Sequence, residues 1–170
     1  MVYKARTTRA EEWPLLKELR LQALADPVAS VAFHDRYETV AAYPDSTWQQ
    51  RAAAGEGHGN GATFVGETPE GRWGGMVVVL LKADRYAHIV GVYVRPEHRG
   101  TGLATQLFEA AAEWAWARPG IRGLRLCVHK DNSRAEAFYR RQGFRTVGMT
   151  DPDPQGSGFL AYEMELARPQ

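Results

Sequence analysis

Cysteine is almost absent from this chain. Cys127 is the single one in 170 residues, which excludes an internal disulfide framework and agrees with a reducing compartment. Long apolar runs are missing as well. The longest, Met76 to Leu81, falls far short of the roughly 20 residues that a membrane-crossing helix needs. Met1 to Arg6 carries no apolar core of an export signal, so a cytoplasmic protein without a membrane partner is expected. Neither sign of charge is in excess. A net charge of +1 leaves no global attraction to nucleic acid or to an anionic membrane. Lysine is scarce, four against seventeen arginines, yet the arginines are scattered rather than gathered into a patch. The five histidines form no H-x-x-x-H pair and there is no C-x-x-C, so no metal is expected. No repeat or linker interrupts the chain, and 170 residues suit one domain over 1–170 that buries roughly 70% of its extended surface.

A hydrophobic content of 44% beside 24% charge belongs to a soluble globule, and its periodicities set out the elements. Strands are predicted over 2–7, 62–68, 72–82, 86–95, 123–129, 144–150 and 158–166. A helix over 9–25 places Trp13, Leu16, Leu19 and Ala23 at spacings of three and four, and Asp26-Pro27 ends it. Further helices are predicted from Asp45 or Ser46 to about Ala54, over 101–117 with Leu103, Leu107, Ala111 and Trp114 on one face, and over 133–142. Residues 28–45 read as irregular. Gly55 to Gly61 reads as a connector, because it opens no helix and precedes a strand. The order is that of an α+β protein: a mixed, mostly antiparallel central sheet of about seven strands with helices on both faces, in α/β/α layers.

The most informative stretch runs from Val92 to Ala104. A short apolar strand is broken by Pro96, and a glycine-bearing turn then opens the long amphipathic helix. The first N–H groups of a helix lack partners and carry the positive end of its dipole. Gly100 and Gly102 remove side chains that would keep an anion from those donors, and Arg99 adds a charge beside them. This is an anion cradle suited to a phosphate or diphosphate. A P-loop is excluded, since Leu103-Ala104 stands where lysine and serine or threonine belong. A dinucleotide fingerprint is excluded by Thr105 at its third glycine and by Ile121-Arg122 where a ribose-binding acid belongs.

What remains resembles the Arg-x-x-Gly-x-Gly/Ala signature of the GNAT-type N-acetyltransferases, matched by Arg99, Gly102 and Ala104. A second block, Leu124 to Asn132 followed by Ser133 to Phe144, is similar to that family's strand, terminal Asn, Tyr-bearing helix and Gly-Phe. The two blocks cover roughly residues 86–150. The resemblance implies the acyl-CoA N-acyltransferase fold, acetyl-CoA as cosubstrate, and as acceptor a primary amine of a small molecule or of a protein terminus or lysine. It places cofactor contacts on the strand residues Val92, Tyr93 and Val94, where a splayed neighbour leaves backbone groups for the pantetheine amides. Further contacts fall on Arg99, Gly100, Thr101, Gly102, Leu103, Ala104 and Thr105, and on Asn132 and Tyr139. Family members are frequently dimers, so a second copy counts among the expected partners.

Acetyl transfer needs a proton for the departing thiolate and a neutral amine. Tyr139, seven residues after Asn132 and therefore two helical turns on, is the expected general acid. A phenol with pKa near ~10 can protonate a thiolate of similar basicity. The plain alternative is an aromatic packed beside Phe138 and Phe144. Asn132 either touches the cofactor or only finishes the turn before the Ser133-x-x-Glu136 capping box. For the base, many family members carry a Glu six residues ahead of the valine matched by Val94, and here that position is His88. Imidazole suits the task by its pKa, with Glu38, Glu67 and Asp84 as rivals. Cys127 and His129 share a strand face, but nothing nearby lowers the thiol pKa, so direct attack by the amine is expected over an acyl-cysteine. The acceptor is expected to enter beside Arg20 to Trp48, against an aromatic wall of Phe33, His34, Tyr37, Tyr43 and Trp48. The rival reading is an acetyl-CoA-binding sensor or regulatory module without turnover.

Overall fold

Residues 2–27, 35–56, 60–150 and 160–170 are described in the computed structural model of this chain. Their strands are β1 (Lys4–Thr7), β2 (Gly61–Glu67), β3 (Trp73–Leu81), β4 (Tyr86–Val94), β5 (Gly123–His129), β6 (Arg145–Thr150) and β7 (Ala161–Ala167). They form one sheet in the order β1-β2-β3-β4-β5-β7-β6, parallel at β4–β5 and antiparallel elsewhere. The helices are α1 (Trp13–Ala25), α2 (Tyr37–Ala41), α3 (Asp45–Ala53), α4 (Leu103–Trp116) and α5 (Ser133–Arg141). The α+β layering and the seven strands are those expected. Among the described residues no helix is long and apolar enough to cross a membrane.

Strand alternation sorts side chains onto two cores. Phe64, Val77, Val79 and Leu124 meet Leu107 and Phe108 of α4 on one face. Val65, Met76 and Tyr93 meet Leu16, Leu19, Val40 and Trp48 of α1, α2 and α3 on the other. Each large side chain buried this way contributes about 1.5–3 kcal/mol. Two local expectations change. Residues 37–41, read as irregular, form α2, because the buried Val40 docks that turn into the second core. The helix expected from residue 101 begins at Leu103, because Gly100 and Gly102 are left-handed, with φ of +74° and +84°.

Three features shape what lies between the layers. First, β4 carries a bulge. Ala87 and Ile89 face the α4 side, the register with β3 slips between Met76 and Val78, and Tyr93 faces the α1 side. Gly91, at φ +60°, absorbs the extra residue and turns Val92 and Val94 toward α4. Second, β4 and β5 pair only at Tyr86–Gly123, Ala87–Leu124 and His88–Arg125. Beyond His88 the two strands part, leaving a wedge between them. Third, Leu103 at the start of α4 sits on a glycine floor. A Cβ on Gly66 would stand 2.1 Å from Leu103 Cδ1, and one on Gly74 would stand 2.9 Å from Leu103 Cδ2. The helix N-terminus is thereby held down against β2 and β3.

Candidate active site

The wedge between β4 and β5 opens into a cavity of about 520 Å³, closed by α4 and α5. Of the residues expected at a cofactor, Val92, Tyr93, Val94, Arg99, Gly100 and Gly102 line it, with Leu103, Ala104 and Thr105 at the helix start and Asn132 and Tyr139 from α5. Thr101 does not. Its hydroxyl donates to the His98 carbonyl at 2.5 Å and accepts from Tyr3 at 3.1 Å, so it braces the turn from behind. Cβ atoms on Gly100 or Gly102 would meet nothing within 4 Å, so the turn faces open space. Arg134 and Arg141, which sequence reasoning missed, join Arg99 on the wall, and among the described residues no carboxylate lines it. Their spacing of seven, one face of a helix, is the signal that was available. A cationic cradle at a helix N-terminus, next to a strand with no partner on one side, fits an anionic chain such as a coenzyme A diphosphate.

Arg99 is already engaged. Its guanidinium donates to Asp26 at 2.8 Å and to the Val94 carbonyl at 3.1 Å. Asp26, the residue that ends α1, also accepts from the Tyr93 hydroxyl at 3.1 Å. Burial and that hydrogen bond push the Tyr93 phenol up to about 12. Asn132 is the N-cap of α5, its side-chain oxygen accepting from the Ala135 N–H at 3.3 Å. The cap is therefore one residue earlier than the Ser133 box predicts, and Asn132 both caps the helix and lines the cavity.

Tyr139 is packed as the plain alternative expects, and it also reaches the cavity. Its ring packs against Phe108, Phe138 and Phe144, with centroids 5.6, 5.7 and 6.1 Å apart, and it also lines the cavity. Burial in this aromatic cluster raises its phenol well above the ordinary value near 10, which replaces the expectation of an unshifted group. It stays protonated at any physiological pH. Cys127 lies on the same wall, and partial burial together with Glu163 pushes its thiol up, away from the thiolate that a covalent route requires.

A second cavity of about 460 Å³ lies on the opposite face of the sheet, beside α1 and α3. Leu16, Trp48, Met76, Val78 and Leu80 make its walls apolar, and among the described residues its charged groups are Arg20, Asp35 and Arg51. Val90 and Gly91 line both cavities, so the two meet at the β4 bulge. Arg20 is the one charged residue in the buried stripe of α1, with 8% of its surface exposed. Its Nη2 donates to Asp35 at 3.1 Å, and its Nη1 stands 3.9 Å from the place of a Cβ on Gly91. Burial pulls its pKa down and Asp35 opposes that, but a guanidinium remains a cation at neutral pH. Arg51 lies over the rings of Tyr43 and Trp48, at 5.0 and 5.6 Å. The signal for Arg20 was a charge inside an apolar helical stripe, four residues after Leu16.

Of the aromatic wall expected here, Trp48 lines the cavity and Tyr43 supports it from outside. Tyr37 is exposed, and Phe33 and His34 lie outside the described residues. His88 lines neither cavity. It sits where β4 still pairs with both neighbours, opposite Leu80 and Arg125, and shares a hydrogen bond with Asp84 at 2.8 Å. Its cross-strand neighbour Leu80 and its same-face neighbour Val90 do reach the second cavity. Of the rival bases, Glu67 is paired with Arg6 at 2.6 Å.

Comparison with known proteins agrees with this fold. The profile of the Acetyltransferase (GNAT) family matches residues 28–144. The peptidyl-lysine N-acetyltransferase YjaB of Salmonella typhimurium is 29% identical over 72 residues, 42% of this chain and 46% of that protein. The chain thus spans about half the length of the curated relatives it matches. Among solved structures, the PaiA N-acetyltransferase of Thermoplasma acidophilum, in complex with coenzyme A, superposes with a TM-score of 0.78 at 20% identity, over 99% of this chain and 100% of that one. Spermidine N-acetyltransferase of Vibrio cholerae, in complex with CoA and spermine, gives 0.75 at 18% identity over 97% and 95%. At these identities the likeness is one of fold.

Proposed function

This chain belongs to the acetyltransferase (GNAT) family, and from that premise we propose that it moves an acetyl group from acetyl-CoA to a primary amine. One observation carries the reading. A cationic cavity at a helix N-terminus and a separate, mostly apolar cavity approach from opposite faces of the sheet and share the wall at Val90 and Gly91. Two substrates held this way meet at a single opening, which is the proximity that a direct transfer requires. The peptidyl-lysine enzyme and the spermidine enzyme to which the chain is similar are both named for primary-amine acceptors, which supports an amine here.

In this reading Val92 and Val94 offer backbone groups to the pantetheine arm. The N–H groups of Leu103, Ala104 and Thr105, with Arg99, hold the diphosphate, and Asn132 contributes from α5. The amine nitrogen attacks the thioester carbonyl, the carbon–sulfur bond breaks, and the Tyr139 hydroxyl supplies the proton that the thiolate takes. An alkyl ammonium near pKa ~10 pays roughly 4 kcal/mol to be neutral at pH 7. His88, polarised by Asp84, accepts that proton through water at the rim marked by Leu80 and Val90. A thiol-release assay with acetyl-CoA and a panel of amines tests the proposal. Amine-dependent thiol is the expected result. Tight coenzyme A binding with no amine-dependent thiol would favour a sensor without turnover instead.

A further inference from the structure

We infer that the acceptor is an α-amino carboxylate with an apolar side chain, anchored through its carboxylate by Arg20. The inference rests on the acetyl-transfer reading above and concerns the second cavity. Its charge balance comes first. Among the described lining residues there are two cations, Arg20 and Arg51, and one acid, Asp35. That acid already bonds Arg20 at 3.1 Å. Among these described residues a polyamine or a second ammonium finds no spare carboxylate and two like charges, whereas an anionic group finds complementary ones.

Position narrows the class. Arg20 lines the second cavity, and its buried Nη1 packs 3.9 Å from the Cβ place of Gly91, which lines both cavities. A carboxylate on this guanidinium therefore lies beside the opening, and the amine must be close to its own carboxylate to reach the thioester. An α-amino acid keeps its nitrogen about 3 Å from its carboxylate oxygens, whereas a long spacer would carry the amine past the opening. The rest of the molecule then points outward into Leu16, Trp48, Met76, Val78 and Leu80, which is where an apolar side chain is sheltered from water. The guanidinium also disfavours an ammonium beside it and so helps the amine to lose its proton. In the reaction the amine gives up one proton, its nitrogen bonds the acetyl carbon, the carbon–sulfur bond breaks and the thiolate is protonated. The products are an N-acetyl amino acid and free coenzyme A.

The test compares L-leucine, L-methionine and L-phenylalanine with their amides, with spermidine and with a lysine-containing peptide, all at saturating acetyl-CoA. The acids should exceed their amides in kcat/KM by about a hundredfold or more. In R20Q that acid-over-amide ratio should shrink by about tenfold or more, a change that a purely structural Arg20 would not produce. If R20Q fails to fold, R20K and the acid-against-amide comparison in the parent protein still decide the matter. Equal rates for acids and amides, or turnover of spermidine or the peptide but not of the acids, would overturn the inference and leave acetyl transfer standing. Thiol release with no amine at all, from protein that binds coenzyme A, would remove both.

Discussion

Tyr139 has a packing role and a proposed role as general acid, and one substitution separates them. Phenylalanine keeps the ring among Phe108, Phe138 and Phe144 and deletes only the hydroxyl on the cavity wall. Tyr139→Phe should therefore lower kcat by about a hundredfold or more while coenzyme A affinity, read by calorimetry, stays within about threefold. An unchanged kcat would take Tyr139 out of the chemistry. Arg99 predicts the opposite split. Its Nε and Nη2 are held by the Val94 carbonyl and Asp26, which aims the remaining N–H groups of the guanidinium for a phosphate. Arg99→Ala should weaken coenzyme A about tenfold, on the scale of a charge-assisted hydrogen bond, with a smaller effect on kcat at saturation. Affinity equal to that of the parent would mean that the helix N-terminus alone holds the diphosphate.

At the scale of elements, the start of α4 is where fold and site become one problem. Its free N–H groups point usefully only because Leu103 is pressed onto Gly66 and Gly74. Gly66→Ala puts a methyl 2.1 Å from Leu103 Cδ1, and Leu103 is only 1% exposed, so its side chain must give way and the anchor of the helix end is disturbed. The expected cost is about 1–3 kcal/mol of stability, read by urea unfolding, with weakened coenzyme A binding beside it. Stability lost without any loss of binding would separate the floor from the cradle. This floor was invisible in the sequence, because Gly66 and Gly74 lie far from Leu103 along the chain. The cradle was legible, since residues 92–105 form it within one contiguous turn. The second cavity was not, because α1, α3, β2, β3 and β4 each give it only one to a few residues. The bulge at Gly91 had a local signal, a glycine inside a run of β-branched residues, and its consequence was a change of face for Val92 and Val94. His88 reads as a site residue by position alone, yet the paired part of β4 holds it just short of both cavities.

The whole molecule places two phenols in settings that keep them protonated, and this has a consequence in alkali. Burial, with the Asp26 hydrogen bond, holds Tyr93 at about 12, and burial alone holds Tyr139 higher still. In the unfolded chain both ionise near ~10. Below that pH both states carry both protons, and these groups add no pH dependence. Between about pH 10 and 12 the unfolded chain has lost two protons that the native chain keeps, so stability falls as pH rises. Each tyrosine contributes a slope of about 1.4 kcal/mol per pH unit, or roughly 2.7 together. Urea unfolding of the parent from pH 8 to 11.5 should show a plateau and then this decline. In Tyr139→Phe the decline should lose one group's share, about 1.4 kcal/mol per pH unit, while Tyr93 and the raised Cys127 thiol still drive the rest. An undiminished slope in that variant would show that the native Tyr139 ionises as readily as the unfolded one. Water would then reach its hydroxyl freely, and the cavity wall would lack the dryness that keeps this phenol protonated.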